Sequence, residues 1–423
     1  METTTEGGNG HGGGAGRFLA PLIAVGAISG IATGWLVGAP MARVAWIGEF
    51  FLGALKMVIV PLIMASMIAG IGALGDVRRL GRTGVWTVGY YVTTTAIAVS
   101  IGIALVLIVQ PGAGIDVSSI EVPETVKGKH EFGITDFVLS LIWPNIVDAM
   151  TQMKLLPIII FSLLFGGIAT TMGSRGRVVL DFFSAVNEIM MQMVGVILWL
   201  APIGIFALIA ARLGEAGGAE GVKQTLKSLG AYTGTVLGGL AIHACIVLPL
   251  LLRGVGGRRV LRYARGLSEA LISAFSTASS AATLPITIRD LKAKNGVREE
   301  AADFVPPLGA TINMDGTALY EAVAAIYIAQ AFGIELSATA LFFVFVTATL
   351  ASIGAAGIPE AGLVTMVIVL EAVNLPIEGI GLILAVDWLL DRFRTTVNVW
   401  GDAVGAAVVE RRALGDPGTA GVA

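Results

Sequence analysis

The sequence predicts an all-α polytopic membrane protein with eight transmembrane helices and two re-entrant helical hairpins. Three observations lead to this prediction. Hydrophobic residues make up 55% of the 423 residues and charged residues only 13%, whereas a soluble domain carries about 25% charged residues. The mean hydropathy is +0.84. Long uncharged stretches alternate with clusters of arginine, so lipid is the solvent for most of the chain.

Six mostly uncharged stretches, each long enough to span a bilayer, come first along the chain. They cover residues 18–37, 44–74, 84–110, 137–173, 189–211 and 229–252. Arginines follow the second, fourth and sixth of them: Arg78, Arg79, Arg82, Arg175, Arg177, Arg253, Arg258, Arg259, Arg262 and Arg265. Because basic loops face the cytoplasm, the N-terminus is predicted to be cytoplasmic. Residues 1–16 are polar and Gly-rich, which predicts a disordered cytoplasmic head.

The chain changes character after the sixth stretch. Residues 270–288 are long enough to span, but their middle is rich in Ser and Thr and contains Pro285. Basic residues flank this stretch on both sides, which predicts a hairpin that enters and leaves from the cytoplasm. Residues 304–332 then cross outward, with an interruption at residues 313–317.

A second interrupted stretch covers residues 336–370 and breaks at residues 352–362. Its flanks carry no Lys or Arg, so it is predicted to re-enter from outside. The last helix, residues 380–409, leads back to the basic pair at 411–412 and a short cytoplasmic tail. Two interrupted segments from opposite faces favour inverted repeats with a site near mid-membrane. The alternative is that the breaks are packing kinks in ordinary helices.

The last helix carries six polar residues that fall within an arc of about 100° when plotted at the helical period. They are Asp387, Asp391, Arg394, Thr395, Asn398 and Asp402. Exposing the four ionisable groups to lipid would cost about 10–14 kcal/mol, so this face must meet protein or water. A purely structural ion-pair network is the alternative, although buried charge stabilises poorly.

The chemistry of this face suits an amphoteric solute. Arg394 offers a planar fork that matches a carboxylate, and Asp391 can accept from an ammonium group. Asn398 and Thr395 add neutral partners, and Asp402 is a hard oxygen ligand for Na⁺ or another small cation.

The interrupted crossing at 304–332 contributes further candidates. At helical spacing, Asn313, Thr317 and Glu321 share one face, whereas Asp315 points almost oppositely. Gly309 and its neighbours loosen the backbone and free carbonyl oxygens, which suit a hard cation. Glu321 has no basic residue within one helical turn, and burial favours a neutral carboxyl. It is therefore a candidate proton carrier, with a static hydrogen-bonded role as the alternative.

Other function classes have less support. The single Cys245 and the three histidines, His11, His130 and His243, cannot make a metal cluster, and no nucleophile–base pair is evident, so neither an enzyme nor a bound cofactor is expected. The net charge of −3 gives no reason to expect nucleic acid as a partner. A carrier, an anion channel and a membrane receptor remain open at this point.

Four motifs in order resemble the dicarboxylate/amino acid:cation symporters, the glutamate transporter family. They are SerSerAlaAlaThrLeuPro (279–285), AsnMetAspGlyThr (313–317), GlyIleProGluAlaGly (357–362) and AspArgPheArgThrThrValAsnValTrpGlyAsp (391–402). The resemblance covers nearly all of residues 17–412. It implies a homotrimer in the plasma membrane, or in the inner membrane of a Gram-negative bacterium. Each protomer would have a scaffold and a mobile transport domain that carries substrate like an elevator.

The resemblance also implies a division of the chain. Residues 17–83 would be scaffold helices 1 and 2, residues 84–110 helix 3 of the transport domain, and residues 111–213 a loop and scaffold helices 4 and 5. Residues 214–412 would complete the transport domain with helix 6, hairpin 1 (about 266–296), helix 7, hairpin 2 (about 336–370) and helix 8, before a cytoplasmic tail at 413–423.

Roles for individual residues follow from the same resemblance. Arg394 would hold the side-chain carboxylate of the substrate and Asp391 its amino group. The full set of substrate contacts would be Ser279, Ser280, Thr317, Ile358, Gly362, Asp391, Arg394, Thr395 and Asn398. Asp387 and Arg392 would support these contacts from behind, and Glu321 would carry a proton.

Three sodium sites are implied as well. The first would use Asp402 with carbonyls of Gly309, Asn313 and Asn398. The second would use backbone at Thr311, Ser352, Ile353 and Ala355. The third would use Asp315 with Asn313, Tyr91, Thr94 and Thr95.

Departures from the family pattern refine the expectation. Some prokaryotic members carry an arginine at the first hairpin tip, where this chain has Ala278 and instead places Arg392 on the last helix. That arrangement is similar to the animal excitatory amino acid transporters, which use the Glu321 position for protons and export K⁺. Glu360 has no role in this pattern. The leading hypothesis is Na⁺-coupled symport of L-glutamate and L-aspartate, with a dicarboxylate carrier or a neutral amino acid exchanger as rivals.

Overall fold

The computed structural model describes residues 15–73, 81–114, 139, 141–215, 219–353 and 361–415. The described backbone consists of helices joined by turns and contains no strand, so the predicted all-α class is confirmed. The helices are α1 (Ala15–Val37), α2 (Ala45–Ala73), α3 (Arg82–Val109), α4 (Ile146–Thr151), α5 (Leu155–Thr170), α6 (Ser174–Leu198), α7 (Ala201–Glu215), α8 (Ala219–Ile242), α9 (Leu248–Gly254), α10 (Val260–Gly266), α11 (Ser268–Thr277), α12 (Ser280–Ala293), α13 (Glu299–Ala302), α14 (Val305–Ile312), α15 (Asp315–Ala331), α16 (Ala338–Ser352), α17 (Ala361–Ala372) and α18 (Leu384–Ala413).

Four helical stretches within the described residues are long and apolar enough to cross a membrane unaided. They are Ala39–Gly72, Arg82–Val109, Ser174–Leu198 and Leu226–Gly254. Shorter apolar helices, including Leu155–Thr170 and Ala338–Ser352, need partners to complete a crossing. The predicted count of eight crossings stays a prediction.

The helices pack in two groups. In the first, α1 lies along α7, and α2 packs against α5, α6 and α7. In the second, α3 packs on α15 and α18. Helices α8, α9, α11, α12 and α14 pack on α18, and α16 and α17 pack on α15. The second group contains every predicted polar segment of the site, because both interrupted stretches and the last helix belong to it.

The prediction of one continuous span over the fifth stretch, residues 189–211, was wrong. The chain forms α6 and α7, which are separated by a turn at Trp199 and Leu200. Pro202 follows directly and has no N–H with which to continue the hydrogen bonds of α6. The two helices therefore diverge, and α6 follows α2 while α7 follows α1.

Helices α11 and α12 form hairpin 1. Its tip turns at Ala278, whose φ of 51° is left-handed, and the side chain of Ser279 caps α12 by accepting from the backbone N–H of Ala282 at 3.1 Å. At the other end, Lys294 lies 2.8 Å from Glu269, so both ends of the hairpin lie at the same level. Helices α16 and α17 pack together as hairpin 2, whose tip at residues 354–360 lies outside the described residues.

The outward crossing is interrupted between α14 and α15. Asn313 and Met314 have non-helical backbone angles, with φ and ψ of −123° and 80° and of −116° and 63°. The expectation that Asp315 points away from Asn313 was therefore wrong. A Cβ placed on Gly401 would lie 3.4 Å from Asn313 Nδ2 and 3.4 Å from Asp315 Oδ2, so both side chains approach the same point of α18.

The predicted chain ends fall largely outside the described residues. Of the head at 1–16, only the last two residues are described, and they begin α1 rather than extend a disordered segment. Of the tail at 413–423, residues 413–415 are described: Ala413 ends α18, and residues 414 and 415 follow it outside the helix. The loop expected after α3 also lies mostly outside, at residues 115–138.

Candidate substrate and cation site

The polar face predicted for the last helix is buried against protein. The six side chains are between 0% and 6% exposed: Asp387, Asp391, Arg394, Thr395, Asn398 and Asp402. Helix α18 keeps its regular period because no Gly or Pro interrupts it between residues 384 and 400. The helix packs on α15, on α11 and α12 of hairpin 1 and on α3, so its polar face meets protein.

Arg394 is held between two carboxylates of its own helix. Its Nη2 donates to Asp391 Oδ1 at 2.7 Å, and its Nη1 lies 3.1 Å from Asp387 Oδ1. The guanidinium carbon lies 3.9 Å above the ring of Tyr320, close enough for a cation–π contact. Nε and Nη1 make no hydrogen bond within the described residues. The guanidinium thus keeps donors for a further acceptor.

Hairpin 2 approaches this guanidinium closely. A Cβ on Gly362 would lie 2.7 Å from Arg394 Nη1, so a larger residue would displace the charged group. The structure therefore brings predicted contact Gly362 to Arg394. Ile358 and Ala355, together with Glu360, lie outside the described residues.

Asn398 joins α18 to the start of α15. Its Oδ1 accepts the backbone N–H of Gly316 at 2.8 Å, and its Nδ2 donates to the hydroxyl of Thr317 at 3.3 Å. Thr395, one turn earlier on α18, is 5% exposed. The structure thus joins Thr317 and Asn398, two of the expected substrate contacts, by a hydrogen bond.

The tip of hairpin 1 lies against the same helix. Ser279 and Ser280 are buried, at 7% and 4% exposure. Arg392 donates from Nη1 to the carbonyl oxygens of Phe275 and Ser276, at 2.9 and 2.8 Å. A cation at these carbonyls stabilises the C-terminal end of α11. Arg392 therefore supports the tip of hairpin 1.

Asp402 lies in a pocket of oxygen atoms. Its Oδ1 accepts from Asn313 Nδ2 at 2.8 Å, and Gly309 lies so close that any side chain there would collide with Asp402 and with the hydroxyl of Tyr91. Asn313 Oδ1 is buried and has no hydrogen-bond partner among the described residues. An unpaired amide oxygen beside a carboxylate suits a hard cation such as Na⁺.

Asp315 begins α15 and forms a second cluster beside Asp402. Its Oδ1 accepts from the hydroxyls of Thr95 and Thr94, at 2.7 and 3.3 Å. Its Oδ2 lies 3.0 Å from Nε2 of His243. The predicted partner Tyr91 instead donates to the carbonyl of Val305 at 2.6 Å.

The remaining predicted sodium ligands are less closely joined. The hydroxyl of Thr311 donates to Leu308 and that of Ser352 to Thr349, each at 2.8 Å, which satisfies both within their own helices. Ile353 is half-buried at the end of α16. Within the described residues, no hydrogen bond joins Thr311, Ser352 and Ile353 to one another.

Glu321 is fully buried on α15, two turns after Asp315. One carboxyl oxygen accepts from the hydroxyl of Thr365 on α17, and Oε2 has no hydrogen-bond partner among the described residues. Glu321 therefore links α15 to hairpin 2 through a single hydroxyl.

Comparison with known proteins decides the family. The chain matches the Sodium:dicarboxylate symporter family over residues 19–412. The chain belongs to this family. The symporter is 43% identical to excitatory amino acid transporter 3 of Mus musculus over 416 residues, which cover 87% of this chain and 79% of the relative. It is 42% identical to excitatory amino acid transporter 1 of Ambystoma tigrinum, with 86% and 76% covered. It is 41% identical to an excitatory amino acid transporter of Caenorhabditis elegans, with 86% and 80% covered.

Family membership settles the class of protein. The symporter is a membrane transporter and not an enzyme, and Na⁺ is the coupling ion of its family. The sequence reasoning missed three residues that the structure places in the site: His243 on Asp315, Thr365 on Glu321 and Tyr320 under Arg394. A histidine within an apolar helix was a signal that could have found the first, since ionisable groups inside a membrane are usually functional.

Proposed function

We propose that this symporter couples the inward movement of Na⁺ to the uptake of L-glutamate and L-aspartate. The observation that carries the proposal is the pair of Arg394 and Asp391, buried three residues apart on α18 beside two clusters of cation ligands. An acidic amino acid has a carboxylate for the first residue and an ammonium group for the second. The names of the relatives agree with this substrate class.

The substrate is proposed to bind to Arg394 and Asp391, which are hydrogen-bonded to each other in this structure. Its side-chain carboxylate would take the unpaired donors of Arg394, and its amino group would take Asp391. Asp387 would then keep the charge of the guanidinium balanced from the side away from the substrate. The main-chain carboxylate would meet Asn398, Thr395, Thr317 and the backbone at Ser279 and Ser280.

The two clusters around Asp402 and Asp315 are proposed as sodium sites. Each has one carboxylate, and neither carboxylate has a Lys or Arg partner within the described residues. Two uncompensated carboxylates in a low-dielectric interior favour cations strongly. The backbone carbonyls of Gly309, Asn313 and Asn398 would complete the first site, and the hydroxyls of Thr94 and Thr95 the second. Backbone at Thr311, Ser352, Ile353 and Ala355 would form one further sodium site when hairpin 2 closes.

The division into a scaffold and a mobile transport domain is proposed from the packing. Residues 17–83 and 111–213 would form the scaffold of a homotrimer, and residues 84–110 and 214–412 the transport domain. The packing of α3 on α15 and α18, rather than on its sequence neighbour α2, supports this division. The protein would lie in the plasma membrane with both termini in the cytoplasm, as the arginine clusters predict. Hairpin 2 would act as the lid, since Gly362 and Thr365 connect it to both Arg394 and Glu321.

Glu321 is proposed to carry a proton inward and to release it before K⁺ resets the empty carrier. A buried carboxyl whose single described partner is a hydroxyl favours the neutral form when hairpin 2 is closed. Moving away from Thr365 would leave the carboxyl exposed and ionised. Arg392 and Ala278 follow the same arrangement as the animal relatives, which supports this coupling.

Rival substrates differ from acidic amino acids by one group each. A dicarboxylate has no ammonium group for Asp391, and a neutral amino acid has no second carboxylate for Arg394. The test is uptake of labelled aspartate and glutamate into proteoliposomes, with Na⁺, H⁺ and K⁺ gradients imposed one at a time and with succinate and serine as competitors. We expect the Na⁺ gradient to drive uptake and neither competitor to inhibit it. Uptake of succinate in place of aspartate would contradict the proposed substrate.

A further inference from the structure

His243 lies beside the Asp315 cluster and has no part in the function proposed above. It is fully buried, 72 residues before Asp315 in the chain, and its Nε2 lies 3.0 Å from Oδ2 of that carboxylate. Its Nδ1 has no hydrogen-bond partner among the described residues. A neutral imidazole with its hydrogen on Nε2 is the form that leaves no buried N–H group unpaired.

The sequence around His243 explains why the ring faces Asp315. The chain from α8 to α9 passes through a π turn, His243–Val247, in which the N–H of Leu248 bonds to the carbonyl of His243. Pro249 follows and would clash with the carbonyl four residues earlier in a regular helix, which the wider turn avoids. The carbonyl of Ala244 accepts instead from Nε1 of Trp400, at 3.1 Å. This bond fixes the π turn to α18, next to Gly401.

The donors around Asp315 divide between its two oxygens. Thr94 and Thr95 of α3 donate to Oδ1, and His243 alone among the described residues is hydrogen-bonded to Oδ2. A carboxylate held by one edge can turn about its Cβ–Cγ bond, whereas one held at both oxygens cannot. The imidazole therefore fixes the rotation of the carboxylate, with Oδ1 toward the threonine hydroxyls.

We propose that His243 is a positioning residue for the Asp315 cation site, where it holds Oδ2 so that Oδ1 faces the ion. This inference rests on the proposed function, because it assigns Asp315 to a sodium site. The imidazole does not touch the ion. It supplies one N–H at a fixed place, and any donor at the same place should replace it.

Three substitutions separate this role from simple packing. In His243→Gln the amide nitrogen is as many bonds from Cα as Nε2 is, so the donor to Asp315 is kept. In His243→Asn the amide nitrogen is as many bonds away as Nδ1, and His243→Leu has no donor. Thr287→Val is the control, because Thr287 is also buried and, among the described residues, its hydroxyl donates to the carbonyl of Thr283 in hairpin 1.

The measurements are the Na⁺ concentration that half-saturates aspartate binding to the purified protein, and the rise in thermal midpoint caused by Na⁺ without substrate. We expect His243→Asn and His243→Leu to raise the half-saturating Na⁺ concentration by about tenfold, the loss expected for one hydrogen bond to a charged group. His243→Gln and Thr287→Val should stay within about twofold of the wild type.

The outcomes are distinguishable. If His243→Gln is as impaired as His243→Asn, or if all variants keep the wild-type Na⁺ dependence, the positioning role is wrong. Should His243→Leu fail to fold, the comparison of Gln with Asn still decides. A packing role alone would lower the thermal midpoint in Na⁺-free buffer and leave the Na⁺-induced rise unchanged, which also contradicts the inference. A wild-type protein with no Na⁺ dependence would refute the proposed function itself.

Discussion

Glycines do different work in the two groups of helices. Between α1 and α7, Gly26, Gly30 and Gly34 recur every fourth residue and bring the two backbones together. A Cβ on Gly30 would lie 2.8 Å from the carbonyl oxygen of Phe206, and one on Gly34 would lie 2.9 Å from that of Ala210. This is the small-residue packing by which helices associate in lipid, where the hydrophobic effect does not drive them together.

Around α18, glycines bring backbone to charged side chains instead. Gly362 approaches the guanidinium of Arg394, Gly309 approaches the carboxylate of Asp402, and Gly316 donates its N–H to Asn398. The first group is therefore a rigid apolar contact, and the second is a polar interior whose groups keep unsatisfied donors and acceptors. A high glycine content in a membrane protein therefore indicates both close helix packing and close approach of backbone to polar side chains. Only the neighbouring side chains tell the two apart.

The largest expected effect follows from removing the charge of Arg394, at the centre of the second group of helices. Arg394→Cys should lower aspartate affinity by at least about 100-fold, because a buried charge pair loses one partner. Asp391 would remain to hold an amino group, so the variant should bind small neutral amino acids such as serine. Binding of labelled aspartate and serine measures both.

Arg392→Cys is the matched control for this variant. It removes an arginine of the same helix that contacts carbonyls of hairpin 1 rather than Asp391 or Asp387. It should keep the preference for acidic substrates. Unchanged aspartate affinity in Arg394→Cys would remove the basis of the substrate assignment.

The next effect concerns the two uncompensated carboxylates. Asp402→Asn and Asp315→Asn should each raise the half-saturating Na⁺ concentration by about tenfold or more, because each removes the charge from a site otherwise lined by neutral oxygens. Calorimetric titration at several Na⁺ concentrations measures this. Asp290→Asn is the control, since Asp290 is fully buried at the base of hairpin 1 and pairs with Lys294. Equal Na⁺ dependence in all three variants would rule out both sodium sites.

A substitution between α1 and α7, in the first group of helices, should change stability and leave binding unchanged. Gly30→Val should lower the thermal stability by about 1–3 kcal/mol, the usual result of overpacking, and leave the Na⁺ and substrate affinities of the folded fraction unchanged. Gly89→Val, on α3, is the control, because a Cβ there meets nothing within 4 Å. A Gly30→Val variant with altered substrate preference would show that the two groups are not as separate as the packing indicates.

Glu321→Gln should have the smallest effect on transport as a whole. Without a carboxyl that gains and loses a proton, net uptake should no longer respond to external pH or to internal K⁺. Na⁺-driven exchange of internal for external substrate should continue, since exchange does not require the empty carrier to return. Glu371→Gln, a half-buried carboxylate on α17, serves as the control. Wild-type uptake that is indifferent to pH and K⁺ would leave Glu321 a static hydrogen-bonding residue.

The sequence was sufficient to predict the features that depend on a single helix. The six polar residues of α18 share a face because the helical period places them there, and their burial followed from the cost of charge in lipid. The break at residues 313–314 was predictable from its composition, but the resulting direction of Asp315 was not, because two non-helical residues reset the period. The divergence of α6 and α7 at Pro202 was equally invisible to a count of apolar residues.

Contacts between distant segments could not be predicted from spacing. His243 and Asp315 are 72 residues apart, and Glu321 and Thr365 are 44 residues apart. In sequence, His243 is a single polar residue in an apolar run, and Thr365 is one of many threonines in membrane helices. Only the packing of α8, α15 and α17 brings these pairs together.

The central claim is that the polar group of helices converts a Na⁺ gradient into accumulation of an acidic amino acid. Its most direct test is the steady-state ratio of internal to external aspartate in proteoliposomes with an inward Na⁺ gradient. We expect a ratio well above one that falls to one when an ionophore equalises Na⁺. Aspartate that only equilibrates across the membrane, with the gradient intact and the protein active in exchange, would contradict it.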